Sequence, residues 1–261
     1  MILYSERDNH YSHRVRIVLA EKDIACEIRE FDIEEAPDDI LSVSPYHKLP
    51  ILVDRDLALY DTSVMMEYLD ERFPHPPLLP VYPVARANCR ELMLRIDREW
   101  CPLVDSIISG KLTKPKEKKT KEELIQELAT ISPIFKEFQF FMNEDFTLVD
   151  CYLAPIMWRL TSMGINLPYN KQLKPLLDYQ NKIFERPGFT DSLTTIEKDL
   201  RALYTLPGYL FGLDSNSYLS MNFEKNVHLQ NFQQTQANFY LSFQLLKLLL
   251  NLVKRMYLII H

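Results

Sequence analysis

FPHPPLLPVYP, residues 73–83, divides this chain into two parts with different sequence patterns. Five of these eleven residues are proline, and proline fixes φ and lacks the N–H that helix interiors and central strands need. We therefore predict a stiff, extended linker at residues 74–83 between two compact domains. Such a segment holds its side chains outward at low entropic cost, which favours recognition of another protein over catalysis.

The part before this linker alternates short strand and helix patterns. Apolar alternation or short apolar runs predict four strands, and apolar residues at helical spacing predict three helices. In chain order these are strand 2–4, helix 12–22, half-buried strand 24–33, helix 37–42, strands 49–54 and 58–60, and helix 61–73. The order β-α-β-α-β-β-α predicts a thioredoxin-like α/β domain over residues 1–73.

The part after the linker, residues 84–201, has a helical pattern throughout. The predicted helices cover residues 84–108, 121–141, 146–163, 173–184 and 189–203. The third is the clearest because Thr147 and Asp150 form a capping-box pattern. In this pattern the Thr147 hydroxyl accepts from the backbone amide of Asp150, and the Asp150 carboxylate accepts from the backbone amide of Thr147. The nearly unbroken apolar run that follows predicts that this helix is the buried centre of an all-α domain.

Residues 202–261 differ in character from both domains. Asn, Gln, Ser and Tyr are frequent over 214–240, and the aliphatic run that follows is interrupted by three cations, so it does not have the pattern of a membrane-spanning helix. Three interpretations of residues 202–261 are open. The segment is an added amphipathic helix that docks on the body or lies on a membrane surface, or a lineage-specific partner segment, or translated sequence without selected structure. We favour the third interpretation and expect an atypical, poorly packed tail, because local signals disagree there.

The composition is that of an acidic globular protein. The chain has 261 residues and a net charge of −6, and an acidic body without a basic face argues against direct binding of nucleic acid. The lysine-rich residues 111–121 are expected to form a solvated loop. Neither a signal-peptide pattern nor a membrane-length apolar run occurs, which predicts a cytoplasmic protein that does not bind membranes. The four cysteines lie far apart without a CxxC pair, so no metal site is predicted.

Several motifs resemble the glutathione transferase fold. They are YSxRVR at residues 11–16, LPIL at 49–52, DT at 61–62, EYL at 67–69 and, in the second domain, FTxxD at 146–150. The resemblance implies that Pro50 is cis, that the backbone at Leu49 pairs with the cysteine of glutathione, and that Asp61 and Thr62 hold its γ-glutamyl end. Asp61 and Thr62 are equally good helix caps.

The same resemblance identifies the catalytic position. Counting back seven residues from Arg16, as the family's spacing requires, leads to Asn9. The transferase mechanism needs Ser, Tyr or Cys there, since a hydroxyl stabilises the glutathione thiolate or a thiol attacks directly. An amide is a weak substitute, so we predict no enzyme activity and no catalytic residue. A shifted register would bring in the hydroxyls of Tyr4, Ser5, Tyr11 or Ser12. A glutathione-dependent transferase is therefore the alternative function, with glutathione as its ligand; otherwise no cofactor is predicted.

A closer resemblance is to the stringent starvation protein A family. It covers roughly residues 1–201 and includes YSHxVRIVLAEK at 11–22, MEYLDERFPHPPL at 66–78, PVYPVAR at 80–86 and FxLVDCYLAP at 146–155, a far more specific set than one short motif. The resemblance implies a non-catalytic protein that binds RNA polymerase holoenzyme carrying the primary σ factor and adjusts transcription under starvation and acid stress. It further implies a dimer. A third possible function is a scaffold that pairs with a paralogue of the same fold and binds small ligands at their interface.

The resemblance also implies which surface meets the polymerase. It would be formed by Pro74, His75 and Pro76, with Tyr82 beside them. A rigid Pro-His-Pro ridge orders little on docking, and tyrosine is common at interface hot spots. The competing interpretation is a linker whose prolines only fix the domain geometry. The other histidines near the glutathione positions, His10, His13 and His47, are expected to be polar surface residues.

Overall fold

The computed structural model describes residues 1–204, with side chains to residue 199. Strands β1 to β4 are Ile2–Glu6, Glu27–Phe31, Ile51–Asp54 and Leu57–Leu59. Helices α1 to α10 are His10–Glu21, Asp38–Leu41, Thr62–Arg72, Pro83–Arg95, Cys101–Ile108, Lys114–Ile131, Leu148–Arg159, Lys174–Phe184, Pro187–Asp191 and Thr195–Tyr204. Apart from the end of α10, the predicted tail at 202–261 lies outside the described residues.

The four strands form one mixed sheet in the order β2-β1-β3-β4. β1 pairs with β2 in parallel and with β3 antiparallel, and β3 pairs antiparallel with β4. The helices of residues 83–204 follow this sheet in the chain. The prediction of a thioredoxin-like α/β half joined to an all-α half is therefore confirmed.

One detail of the sheet prediction was wrong. The segment 24–33 was expected to be a half-buried strand, but β2 is only Glu27–Phe31 and is exposed along nearly its whole length. Ile28, expected on the buried face, is 41% exposed. β2 lies at the edge of the sheet, and its charged residues are typical of an edge strand that must not pair with other chains.

Helix α1 is central to the packing because neighbours cover it on several sides. It packs against α3, α7 and α9, and every residue from Ser12 to Leu19 is buried. Helix α7 is equally enclosed, with all residues from Leu148 to Met157 buried. Its predicted capping box is confirmed: the Thr147 amide donates to Asp150 Oδ2 at 2.8 Å, and Thr147 Oγ1 accepts from the Val149 amide at 3.3 Å.

Several predicted helices have different boundaries in the structure, and the segment 189–203, predicted as one helix, is divided between α9 and α10. The predicted helix 84–108 is α4 and α5 joined by a π-helical turn, Ile96–Trp100; Pro102, which follows it, has no N–H for a regular helical bond. The lysine-rich run was wrongly expected to be a loop throughout, since α6 begins at Lys114 with a proline in its first turn, where proline is favoured.

Candidate functional site

The segment between α3 and α4 alternates exposed and anchored residues. We call residues 74–83 the ridge. Pro74, His75 and Pro76 are exposed, and the His75–Pro76 peptide bond is cis. Leu78 and Leu79 then turn inward and are only 3% and 5% exposed. The structure thus presents the first three predicted interface residues together, next to an apolar anchor.

The far end of the ridge is exposed as well. The side chain of Tyr82 is 78% exposed, and its neighbours Val81 and Val84 are similarly open. Tyr82 precedes α4, and its carbonyl accepts from the Arg86 amide at 2.9 Å. No Asp, Glu, Lys or Arg occurs between Phe73 and Val84. The predicted interface is therefore an uncharged, largely apolar surface with its backbone fixed at a helix start.

Beneath the ridge lies a buried ion pair that the sequence analysis did not identify. Lys22 Nζ lies 2.8 Å from Asp70 Oδ1 and donates to the Pro76 carbonyl at 2.5 Å. The same Asp70 oxygen accepts from the Leu78 amide at 2.8 Å. The Leu78 carbonyl in turn accepts from the Leu148 amide at 2.8 Å. The ridge is thus hydrogen-bonded to three helices or their ends.

The predicted glutathione positions come together at one end of the sheet. The register pairs Tyr4 of β1 with Ile51 of β3, and Leu52 with Leu59 of β4. The end of β1, the start of β3 and the end of β4 therefore lie at the same end of the sheet. The predicted glutathione residues adjoin these three strand ends: Asn9 follows β1, Leu49 and Pro50 precede β3, and Asp61 and Thr62 follow β4. The Leu49–Pro50 peptide bond is cis, as the resemblance implies.

The side chains of Asp61 and Asn9 are used inside the protein. Asp61 caps α3, its Oδ1 accepting from the amides of Ser63 at 2.9 Å and Val64 at 3.1 Å. Asn9 caps α1, its Oδ1 accepting from the amides of Tyr11 at 2.8 Å and Ser12 at 3.1 Å. Both residues do what good N-cap residues do in any helix.

Asn9 is committed further through its amide nitrogen. Nδ2 donates to Glu6 Oε2 at 2.8 Å. This amino group carries both N–H donors of the Asn9 side chain, and the bond to Glu6 uses one of them. In this structure the group that would have to stabilise a glutathione thiolate already bonds the carboxylate of Glu6 at the end of β1.

The two serines considered for a shifted register are fully buried. Ser5 Oγ accepts from Arg16 at 2.6 Å, and Ser12 Oγ accepts from the Glu6 amide at 3.0 Å. Neither hydroxyl lies on the surface. A substrate thiol therefore has no direct access to them.

The two tyrosines also have partners. Tyr4 is buried, and its hydroxyl accepts from Arg29 at 3.4 Å. The Tyr11 hydroxyl donates to Asp105 Oδ2 at 3.0 Å. Burial, with the nearby carboxylate of Asp105, raises the pKa of Tyr11 above its usual value. A phenol with a raised pKa that already donates to a carboxylate is a poor partner for a thiolate.

His10 is not the surface residue that was expected. Its side chain is 2% exposed, and Nε2 lies 2.8 Å from Asp105 Oδ1. Burial lowers the pKa of His10 to about 4, although the hydrogen bond to Asp105 opposes this shift. His10 is therefore neutral at pH 7 and bridges α1 to α5. His47 is exposed, in the left-handed backbone region with φ 49°.

His13 is also buried, and it belongs to a cluster of charged residues. His13 Nε2 lies 3.0 Å from Ser192 Oγ, and Nδ1 lies 3.6 Å from Glu197 Oε1. Glu197 Oε1 accepts from Arg16 at 2.7 Å and also from Arg159. The expected surface position was wrong because α1 is covered on several sides, so that even its polar residues are enclosed.

The electrostatics of this cluster follow from its burial. Burial alone would raise the pKa of Glu197, but the cations around it, including Arg159 and Arg16, outweigh this effect and hold the pKa at about 2. Burial lowers the pKa of His13 well below its usual value. At neutral pH two guanidinium groups thus share one buried carboxylate, with Asp8 3.0 Å from Arg159 as a more exposed second anion.

Metal and membrane features can be assessed within residues 1–204. No group of three or more His, Cys, Asp or Glu side chains among the described residues could hold a metal ion. All four cysteines are free, and Cys89, Cys101 and Cys151 are buried. None of the described helices is both long and apolar enough to cross a bilayer.

Comparison with known proteins agrees with this architecture. Residues 3–77 match the family model described as glutathione S-transferase, N-terminal domain, and residues 93–187 match its C-terminal domain. The solved tau-class glutathione S-transferase of mango superposes with a TM-score of 0.65 at 22% identity, covering 77% of this chain and 96% of that one.

Two curated relatives carry the same name. The "Stringent starvation protein A homolog" of Coxiella burnetii is 49% identical, over 77% of this chain and 95% of the relative. The protein of the same name from Pasteurella multocida is 45% identical, over 74% of this chain and 90% of the relative.

Proposed function

This chain belongs to the stringent starvation protein A family, and we propose that it is an RNA polymerase-associated regulator of transcription in the starvation and stress response. It binds holoenzyme carrying the primary σ factor and catalyses no reaction itself. Its docking surface is formed by Pro74, His75, Pro76 and Tyr82.

One observation supports this proposal most directly: an exposed, uncharged surface has a fixed backbone. His75 and Tyr82 point to solvent, while Leu78, between them in sequence, is buried and hydrogen-bonded on both its amide and its carbonyl. Association costs free energy for every flexible group that it orders, and a fixed ridge keeps this cost low. An aromatic side chain beside rigid prolines is typical of the few residues that dominate protein–protein binding.

The absence of catalysis is supported by the glutathione positions. Asn9 and Asp61 cap helices, and the hydroxyls of Ser5, Ser12 and Tyr11 have internal partners. We therefore assign the chain no cofactor. A glutathione-dependent transferase remains the second candidate because the family-model matches and the fold are those of glutathione transferases.

We further propose that the protein acts in the cytoplasm as a dimer, either with itself or with a paralogue of the same fold. Its net charge of −6 disfavours direct contact with nucleic acid, so the polymerase itself is the partner. No membrane association is part of this proposal.

The test is binding of the purified full chain to polymerase. Biolayer interferometry would compare holoenzyme containing the primary σ factor with core polymerase lacking it. We expect a Kd for holoenzyme of about 1 μM or tighter, weaker binding to core, and loss of binding in His75→Ala/Tyr82→Ala with an unchanged melting temperature. Absence of wild-type binding would contradict the proposal. Retention on glutathione-agarose with turnover of a chloro-dinitrobenzene substrate would instead support the transferase.

A further inference from the structure

We infer that Lys22 and Asp70 are positioning residues for polymerase binding, because their buried ion pair holds the backbone of the ridge in its docking conformation. This inference rests on the proposed function, which supplies RNA polymerase as the binding partner. Neither residue belongs to the exposed surface, so both act through the ridge.

The geometry places the pair on two backbone groups of the ridge. Lys22 ends α1 and its side chain is fully buried, while Asp70 lies in the last turn of α3 and is 7% exposed. Lys22 Nζ donates to the Pro76 carbonyl at 2.5 Å, and Asp70 Oδ1 accepts from the Leu78 amide at 2.8 Å. One ion pair therefore fixes a carbonyl and an amide on either side of Pro77.

The ridge needs such an external partner because of its composition. Pro74, Pro76, Pro77 and Pro80 have no N–H, so this segment cannot form the repeated hydrogen bonds of a helix or a strand. A buried backbone group without a partner is costly, and other parts of the protein must supply one. Lys22 and Asp70 supply a donor and an acceptor at the point where the ridge turns inward to the buried Leu78.

Fold stability alone is a weak explanation for this pair. Burying two charges carries a desolvation penalty, and well-packed apolar residues in their place are often as stable or more so. What an apolar pair could not do is hold the Pro76 carbonyl and the Leu78 amide. The specific contribution of Lys22 and Asp70 is thus the conformation of the ridge.

The chain offers a matched control pair next to it. Glu21, adjacent to Lys22, is 9% exposed and bonds Arg186 through both carboxylate oxygens, at 2.9 and 2.7 Å. This second ion pair also joins the end of α1 to another element, the start of α9. It has no hydrogen bond to the ridge. Removing it should lower stability without moving the docking surface.

The experiment compares Lys22→Met/Asp70→Leu, in which neither new side chain can bond the Pro76 carbonyl or the Leu78 amide, with the control Glu21→Gln/Arg186→Met in the full chain. Each double substitution removes both charges, so no buried charge is left unpaired. The first readout is amide hydrogen exchange, which does not depend on the polymerase. We expect exchange at the Leu78 amide and its neighbours in the ridge to become about tenfold faster or more in the first variant, and to stay at the wild-type rate in the control.

The second readout is the Kd for σ-containing holoenzyme. We expect binding to weaken about tenfold in Lys22→Met/Asp70→Leu and by less than about twofold in the control. In a His75→Ala background the same change should have a much smaller effect, because residues that act through one surface are not additive. If the ion pair had a purely structural role, its removal would lower the melting temperature, but its effect on the Kd would be the same in the wild-type and His75→Ala backgrounds.

The outcomes separate the two proposals. Unchanged exchange in the ridge of Lys22→Met/Asp70→Leu would overturn the positioning role. Faster exchange with an unchanged Kd, while wild-type protein binds, would overturn its importance for docking. Absence of wild-type binding would overturn the proposed function and the link to polymerase, while the exchange data would still decide whether this pair holds the ridge.

Discussion

The ridge and the glutathione positions use their polar groups in opposite ways. At the ridge, the side chains of His75 and Tyr82 are exposed, and the backbone is hydrogen-bonded from below. At the glutathione positions, the side chains of Asn9 and Asp61 are themselves bound to backbone amides. In this glutathione transferase fold, the polar side chains at two of the glutathione positions thus cap helices, whereas those of the ridge are exposed.

The buried charged cluster around Glu197 strengthens this contrast. Arg16, Arg159 and Glu197 form a buried charged cluster that joins α1, α7 and α10. Such a cluster tolerates the loss of one member poorly. We therefore expect substitutions in this cluster and at Asn9 to affect stability, and substitutions in the ridge to affect binding.

The largest effect should come from Glu197→Ala. The change leaves the guanidinium groups of Arg16 and Arg159 buried without their shared carboxylate, and we expect it to lower the free energy of unfolding by about 3–5 kcal/mol. Urea denaturation at neutral pH would measure this. Glu91→Ala, on the exposed surface of α4, is the control and should change the stability by about 0.5 kcal/mol or less. Equal effects of the two substitutions would contradict the role of the cluster.

A second prediction concerns pH. The pKa of His10 is about 4 in the folded protein, below its ordinary value of 6.5, so between these values the unfolded chain binds a proton that the folded protein does not. The free energy of unfolding must therefore fall as the pH falls through this window, by up to about 1.4 kcal/mol per pH unit for one proton. His10 faces Asp105, Arg14 and Arg159, which do not reverse the shift.

Urea denaturation between neutral pH and pH 5 would measure this slope. His10→Asn should make it shallower, because the titrating group is gone. Tyr11→Phe removes the other hydrogen bond to Asp105 but no group that titrates in this window, so its slope should match the wild type. A slope that His10→Asn leaves unchanged would show that His10 does not carry the proton.

The smallest effect should come from Asn9. Asn9→Ala removes the cap of α1, and we expect a loss of about 1 kcal/mol in the free energy of unfolding. Asn9→Ser keeps a good cap and should lose less than half of that. Neither change should alter the Kd for holoenzyme. A loss of binding in a well-folded Asn9→Ala protein would place function back at the glutathione positions.

The parts of the fold that the sequence predicted well depend on local signals. The capping box at Thr147 and Asp150, the Asp61 cap of α3 and the alternation of strands and helices all arise from residues close together in the chain. Whether Pro74, His75, Pro76 and Tyr82 meet a polymerase stays a prediction. Their exposure agrees with the stiff outward-facing segment that five prolines indicate.

The errors and omissions depend on contacts between distant residues. Residues 24–33 alternate as a half-buried strand would, but only the sheet order reveals that β2 is an edge. The burial of His10 and His13 involves helices far away in the chain, since His10 contacts Asp105 of α5 and His13 contacts Ser192 at the end of α9. The pairing of Lys22 with Asp70 joins residues far apart in sequence. The one available signal was a lysine and an aspartate near the ends of two predicted helices.

One experiment tests the central claim most directly, because it sets the two regions against each other. His75→Ala/Tyr82→Ala and Asn9→Ala/Asp61→Ala would be assayed side by side for binding to σ-containing holoenzyme, after circular dichroism has verified folding. We predict that the ridge variant binds about 30-fold more weakly or worse, while the Asn9/Asp61 variant stays within about threefold of wild type. Full binding by the ridge variant with loss in the Asn9/Asp61 variant would contradict the account.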